Sequence, residues 1–130
     1  MRVLLDTHVF LWWINEHERL TDTARKTLES GEIEVLVSAV VVWEITIKAK
    51  LGRFNLPTDL KSFIRQQLTV NRFQVLAVSL DHTLAVYDLP VMHDHRDPFD
   101  RLLISQSVVE DVPLVSRDSA FDAYGIDRVW

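Results

Sequence analysis

The sequence predicts an α/β protein in which a mostly parallel β-sheet is covered by helices on both faces. Short apolar segments typical of buried strands alternate with segments that carry helix start and stop residues. Strands that alternate with helices form βαβ units, whose strands are parallel. With 130 residues, 48% of them hydrophobic, the chain is long enough to bury a core, and we expect one domain over residues 1–130.

Five segments are predicted strands because each is short, apolar and bounded by polar or turn residues. They are residues 2–5, 34–38, 73–78, 113–116 and 127–129. Ligands of parallel sheets bind beyond the carboxyl ends of the strands. We therefore expect the chemistry where strands lead into helices.

The predicted helices begin at capping residues or proline and end at glycine or a polar turn. Thr21 opens the second and Gly31 ends it, Pro57 starts the fourth in its first turn, and Asp97 with Pro98 opens the longest. The helices cover residues 7–14, 21–30, 39–51, 57–68, 79–87 and 97–110, with a further short helix before the last strand.

Composition excludes several classes of protein and leaves others open. The chain has no cysteine, which excludes disulfides, thiolate zinc sites and cysteine nucleophiles. No window approaches the roughly 18 apolar residues of a membrane span, and the first apolar run is broken at Asp6, so we expect a cytoplasmic protein. The net charge of −5 falls to −1 once four carboxylates are assigned to a metal site, so it does not exclude a nucleic-acid partner.

Four acidic residues lie where a strand ends or in the first two turns of a helix: Asp6, Glu44, Asp100 and Asp118. Asp6 interrupts an otherwise apolar stretch, where a carboxylate is costly unless it is paired, hydrogen-bonded or bound to metal. Crowded acids also raise one another's pKa values, and a divalent cation would relieve both problems. Oxygen ligands without cysteine suit Mg²⁺ or Mn²⁺ better than zinc.

Each acid also has a purely structural interpretation. Asp97 before Pro98 is typical of a helix cap, and Asp100 in the first turn would favour the helix dipole. Asp118 could cap the helix that follows it. Glu44 stands four residues before Lys48, the spacing of an ordinary ion pair.

Four segments in chain order resemble the PIN-domain ribonucleases of the toxin branch, the VapC-like toxins of bacterial toxin–antitoxin pairs. They are residues 4–8, 38–45, 95–103 and 115–118, the last with Tyr124 and Gly125. The resemblance spans residues 4–125 and implies a five-stranded parallel sheet of order 3-2-1-4-5. It also implies a Mg²⁺- or Mn²⁺-dependent endoribonuclease that cuts RNA, acts as a toxin, forms a homodimer and binds a VapB-like antitoxin.

The same resemblance implies roles for individual residues. It carries the catalytic, metal-binding acids onto Asp6, Glu44, Asp100 and Asp118, with Asp6 and Asp100 as the most direct Mg²⁺ ligands, and supporting hydroxyls onto Thr7 and Ser116. Asp97 and Asp100 compete for one family position. The register of the apolar helix after Asp100 favours it and leaves Asp97 as the helix cap.

Other residues have two interpretations each. Lys48 and Arg101 lie beside the predicted acids and are candidate contacts to RNA phosphates, although a solvated charged face is the simpler explanation of both. Trp12 and Trp13 indicate either a fully buried first helix or an exposed aromatic surface for a partner. A zinc site on His93 and His95 lacks an evident third ligand.

Other functions are compatible with a small parallel α/β fold. A phosphotransfer receiver domain needs adjacent acids after the first strand, where Asp6 stands alone, and a dehalogenase-type phosphatase needs an acid where His8 stands. A PIN-like domain that acts in RNA processing, or binds RNA or protein without a toxin role, remains the alternative. The RNA cut and the number of metal ions stay open.

Overall fold

Five parallel strands form the sheet of the computed structural model, which describes residues 1–92 and 94–130. They are β1 (Arg2–Leu5), β2 (Glu34–Ser38), β3 (Gln74–Leu76), β4 (Leu114–Val115) and β5 (Arg128–Val129). Their spatial order is β3-β2-β1-β4-β5, and every neighbouring pair is parallel. The predicted fold class and strand order are therefore confirmed.

Helices connect the strands and cover the sheet. They are α1 (Thr7–Asn15), α2 (Asp22–Glu29), α3 (Ala39–Lys50), α4 (Leu60–Val70), α5 (Leu80–Ala85) and α6 (Pro98–Glu110). Short 3₁₀ helices follow at His17–Arg19, Val86–Asp88 and Ser119–Tyr124. In the part of the chain that the structure describes, no helix has both the length and the apolar character needed to cross a membrane.

Two predicted boundaries were wrong for physical reasons. The helix predicted from Pro57 begins at Leu60, because the fixed φ of proline suits an irregular segment as well as a helix start. The strand predicted over residues 73–78 ends at Leu76, which pairs with Ser38, the last residue of β2. Beyond that point the edge strand has no partner to continue the ladder.

The centre of the sheet fixes the position of the site. β1 lies between β2 and β4, and Val3, Leu4 and Leu5 are fully buried. The carboxyl ends of these three adjacent strands therefore bring Asp6, Ser38 and Ser116 to one edge.

The first helix is mostly buried, as one of its two interpretations required. Trp12 is buried against the rings of His8 and Trp130. Trp13 is half-buried, and its indole N–H donates to Asn71 Oδ1 at 2.8 Å. Both tryptophan side chains therefore contribute mainly to packing within the protein.

Candidate active site: an acidic cluster at the sheet edge

Asp6 links the end of β1 to the start of α1. It is the N-cap of α1, and its Oδ1 accepts a hydrogen bond from the Val9 N–H at 2.8 Å. Its Oδ2 accepts from the hydroxyl of Ser116, at the end of β4. Only 8% of Asp6 is exposed, and this burial raises its pKa to about 6 in spite of both hydrogen bonds, with a further contribution from the charge of Asp100.

Glu44 lies one turn and a half into α3 and is 5% exposed. Thr7 Oγ1 donates to its Oε1 at 2.5 Å, and Lys48 Nζ pairs with its Oε2. The ion pair expected from the spacing of Glu44 and Lys48 therefore forms, but the carboxylate is buried rather than on the surface. Thr7, which the resemblance implied as a supporting hydroxyl, therefore contacts one of the four predicted acids.

Asp100 lies in the first turn of α6, behind the cap that Asp97 provides. The Asp100 N–H donates to Asp97 Oδ1 at 3.1 Å, so Asp97 caps the helix as predicted. Asp100 Oδ2 lies 2.9 Å from His95 Nε2. Burial raises the pKa of Asp100, the hydrogen bond from His95 opposes that rise, and the negative charges of Asp97 and Glu44 add to it.

Asp118 is exposed and lies between β4 and the 3₁₀ helix Ser119–Tyr124. Its Oδ1 accepts from the Ala120 N–H at 3.0 Å, and its own N–H donates to Ser116 Oγ at 3.0 Å. Asp118 can therefore cap the 3₁₀ helix that follows it and also belong to the acidic cluster. His95, Asp100 and Asp118 each contribute one potential ligand atom, and these three atoms lie within 4.8 Å of one another.

A cavity of about 140 Å³ unites the predicted acids. Its lining consists of Asp6, Thr7, His8, Glu44, Lys48, Asp97, Asp100, Asp118 and Phe121. A more open cleft of about 380 Å³ continues from it along Asp6, His8, Trp12, Arg117, Asp118 and Ser119. Four acids that are distant in sequence therefore converge on one concave site.

Comparison with known proteins identifies the family. The family model described as "PIN domain" matches residues 3–127. The chain belongs to the PIN domain family. It is similar to Ribonuclease VapC22 from Mycobacterium tuberculosis (strain ATCC 25618 / H37Rv), with 28% identity over 116 residues, 89% of this chain and 86% of that protein.

Two solved structures show the same fold as this PIN domain. One is VapBC2 from Rickettsia felis bound to a DNA fragment from their promoter, with a TM-score of 0.74, 18% identity and coverage of 98% of this chain and 97% of that one. The other is VapBC-5 from Mycobacterium tuberculosis, described as a member of the VapBC family of toxin–antitoxin systems. Its TM-score is 0.58, with 17% identity and coverage of 94% and 89%.

The donor chemistry of this PIN domain fits a hard divalent cation. The cavity lining includes five carboxylates, the four predicted acids and Asp97, and Asp6 and Asp100 have raised pKa values because burial disfavours their ionised form. Carboxylate oxygens at this density suit Mg²⁺ or Mn²⁺. Lys48 pairs with one carboxylate, which leaves the cluster with excess negative charge.

Two predictions about flanking residues have different outcomes. Arg101 does not line the cavity: its guanidinium donates to the Pro90 carbonyl at 2.9 Å and lies 3.4 Å from the Tyr124 hydroxyl. Adjacent helical residues diverge by about 100° around the axis, so proximity to Asp100 in sequence did not place Arg101 in the site. His93, half of the alternative zinc site, lies outside the described residues.

Sequence reasoning missed the contribution of His95 and Tyr124. His95 was considered only as a zinc ligand, whereas the structure places it against Asp100 and against the Tyr124 hydroxyl. The two residues are separated by 29 positions, and only the loop geometry brings them together. The nearest available indication was their presence in the segments that carry the family resemblance.

Proposed function

We propose that this PIN domain is a Mg²⁺- or Mn²⁺-dependent endoribonuclease that hydrolyses RNA phosphodiester bonds. The observation that carries the proposal is the convergence of Asp6, Glu44, Asp100 and Asp118 on one cavity at the carboxyl edge of the sheet. The similarity to a protein named as a ribonuclease supports RNA as the substrate. The raised pKa of Asp6 supports a cation as the partner of the cluster.

The contacts of the site residues suggest which of them bind the cation and which hold those ligands in place. Asp6 and Asp100 are the proposed direct ligands, since both line the cavity, Asp6 buried and Asp100 half-buried, and burial raises the pKa of each. Ser116 holds the carboxylate of Asp6, and Thr7 holds that of Glu44. A bound Mg²⁺ or Mn²⁺ would polarise the phosphodiester and lower the pKa of an attacking water.

Positive charge near the cluster would position the RNA backbone. Lys48 lines the cavity, and Arg117 lines the open cleft beside Asp6 and Asp118. Phosphate contacts from such residues fix the position of a nucleic acid without reading its sequence. We retain Lys48 from the sequence prediction and add Arg117, while the contacts of Arg101 favour a structural role for it.

We further propose that the chain is the toxin of a toxin–antitoxin pair and binds a VapB-like antitoxin. The likeness to VapC22 and to structures described as VapBC supports this assignment. Expression of the wild-type chain should slow bacterial growth, and co-expression of its antitoxin should restore it. RNA cleavage in vitro without any effect on growth would instead favour the alternative role in RNA processing.

A homodimer remains part of the proposal. Leu80 and Leu84 lie one turn apart on α5 and are 72% and 61% exposed, which gives an apolar face suited to association. Leu84→Glu should shift the sedimentation of the chain from dimer to monomer. A wild-type chain that sediments as a monomer at all concentrations would contradict this part of the proposal.

Cleavage of labelled RNA tests the enzymatic assignment. The wild-type chain should cleave RNA with Mg²⁺ or Mn²⁺ and lose activity on chelation, and Asp6→Asn and Asp100→Asn should be inactive. Asp59→Asn is the matched control, since Asp59 is exposed and its side chain makes no cap hydrogen bond. Hydrolysis that persists through chelation and through both active-site substitutions would contradict the proposed function.

A further inference from the structure

His95 contacts the acidic cluster from the loop that precedes α6. Its Nε2 lies 2.9 Å from Asp100 Oδ2, and its Nδ1 lies 3.1 Å from the Tyr124 hydroxyl. Arg101 in turn donates to that hydroxyl at 3.4 Å and to the Pro90 carbonyl at 2.9 Å. A chain of polar contacts therefore runs from Arg101 through Tyr124 and His95 to Asp100.

The donor and acceptor properties of these groups determine the direction of hydrogen-bond donation along this row of contacts. An ionised carboxylate only accepts hydrogen bonds, so His95 Nε2 carries the proton that is donated to Asp100. In a neutral imidazole Nδ1 is then the acceptor, and the Tyr124 O–H can donate to it. Arg101 is a donor only, which leaves the Tyr124 oxygen as its acceptor. One donor from each of Arg101, Tyr124 and His95 is therefore placed to act towards Asp100, and the single Tyr124 proton is shared with the His95 carbonyl at 3.3 Å.

Packing holds the imidazole in this orientation. The His95 side chain is 12% exposed, and its ring lies edge-on to Phe121 with centroids 5.3 Å apart and to Tyr124 with centroids 5.6 Å apart. The Tyr124 hydroxyl also lies 3.3 Å from the backbone carbonyl of His95. Because its ring and backbone are both engaged, His95 can fix the rotamer of Asp100.

We propose that His95 is a positioning residue that orients the Asp100 carboxylate for a divalent cation, and that Tyr124 and Arg101 fix the tautomer and orientation of His95. This inference rests on the proposed function of the site. Partners that hydrogen-bond metal ligands typically contribute 10–100-fold to metal affinity. His95 and Tyr124, which the sequence did not indicate as part of the acidic site, would thus support it.

The test compares Mn²⁺ binding by four variants of the full chain, measured by electron paramagnetic resonance without RNA. His95→Leu removes the donor to Asp100 and should weaken binding about 10–100-fold. His95→Gln keeps an N–H donor of similar reach and should retain most of the affinity. Matched controls are His17→Leu and Tyr87→Phe, since both residues are exposed and lie outside the described cavity lining.

Tyr124→Phe tests the next contact in the row, between the Tyr124 hydroxyl and His95. It removes one hydroxyl and should weaken Mn²⁺ binding less than His95→Leu but more than Tyr87→Phe. Nitrogen NMR of the wild-type imidazole should show the Nε2–H tautomer of His95. Urea unfolding of the metal-free chain would reveal whether His95→Leu folds. If it does not fold, the Mn²⁺ affinity of Tyr124→Phe relative to Tyr87→Phe, together with the NMR tautomer, tests whether His95 positions Asp100.

Each contrary outcome has a distinct meaning. Unchanged Mn²⁺ affinity in a folded His95→Leu variant, or an Nδ1–H tautomer, would overturn the inference while wild-type RNA cleavage upheld the proposed function. Equal losses in His95→Gln and His95→Leu would also overturn it, because the imidazole itself would then be a ligand. Mn²⁺ binding that depends on His95, without RNA cleavage by the wild-type chain, would instead refute the proposed function.

Discussion

Asp6→Asn should stabilise the metal-free protein at neutral pH even though it abolishes activity. The Asp6 carboxylate is buried, and its pKa in the fold is about 6, compared with 3.8 for an ordinary aspartate. Each factor of ten in acidity corresponds to about 1.4 kcal/mol, so ionised Asp6 costs the fold about 3 kcal/mol at pH 7. Asparagine has the same shape without the charge, and the variant should recover up to this amount.

The pH dependence follows from the same pKa values. Between pH 3.8 and about 6 the unfolded chain has released the Asp6 proton while the folded chain retains it. The free energy of unfolding therefore falls as pH rises through this window, and the loss is complete above pH 6. The advantage of Asp6→Asn should be largest at pH 7 and should shrink as the pH falls towards 4.

Urea unfolding with a chelator present, at several pH values, measures this difference. Asp59→Asn serves as the control, because that residue is exposed and should show no comparable gain. Added Mn²⁺ should stabilise the wild-type chain and have little effect on Asp6→Asn, since a ligand that binds only the folded state stabilises it. A metal-free Asp6→Asn variant less stable than the wild type at pH 7, or a gain in stability independent of pH, would show that ionised Asp6 does not destabilise the fold.

Three further substitutions test neighbouring contacts. Ser116→Ala removes a hydrogen bond that lowers the pKa of Asp6, so the pH-dependent loss of stability in urea titrations should extend to higher pH; an unchanged profile would exclude that bond. Asp97→Ala removes the cap of α6 and should lower the free energy of unfolding by about 1 kcal/mol. It should reduce RNA cleavage far less than Asp100→Asn does. The opposite order in a cleavage assay would make Asp97 the ligand. Gly125→Ala introduces a Cβ at φ +73° and should lower thermal stability by about 1 kcal/mol through backbone strain alone, since the space around it is open; an equally stable variant would contradict this.

The fold could be predicted from local patterns, and its topology from the family resemblance. The alternation of apolar segments with capped helices indicated a parallel sheet, and the structure confirms it. The helix start at Pro57 and the length of β3 could not be predicted in the same way. Proline is compatible with two local conformations, and an edge strand ends where its partner ends.

The site was only partly visible in the sequence. Asp6 was indicated by physical chemistry, since a carboxylate inside an apolar run needs a partner, and the structure shows it buried with a raised pKa. His95 and Tyr124 carried no such indication, because the contacts of His95 with Asp100 and with Tyr124 depend on the path of the loop before α6. Arg101 does not line the cavity, since adjacency in sequence to Asp100 does not imply the same helix face, and its predicted contact with RNA phosphate stays a prediction.

Anomalous diffraction from crystals soaked in Mn²⁺ directly tests the proposal that Asp6 and Asp100 bind a divalent cation. We expect an anomalous peak in the cavity, coordinated by both carboxylates, and no such peak in crystals of Asp6→Asn. A Mn²⁺ peak elsewhere on the chain with none in the cavity, or a cavity peak that survives unchanged in Asp6→Asn, would contradict it.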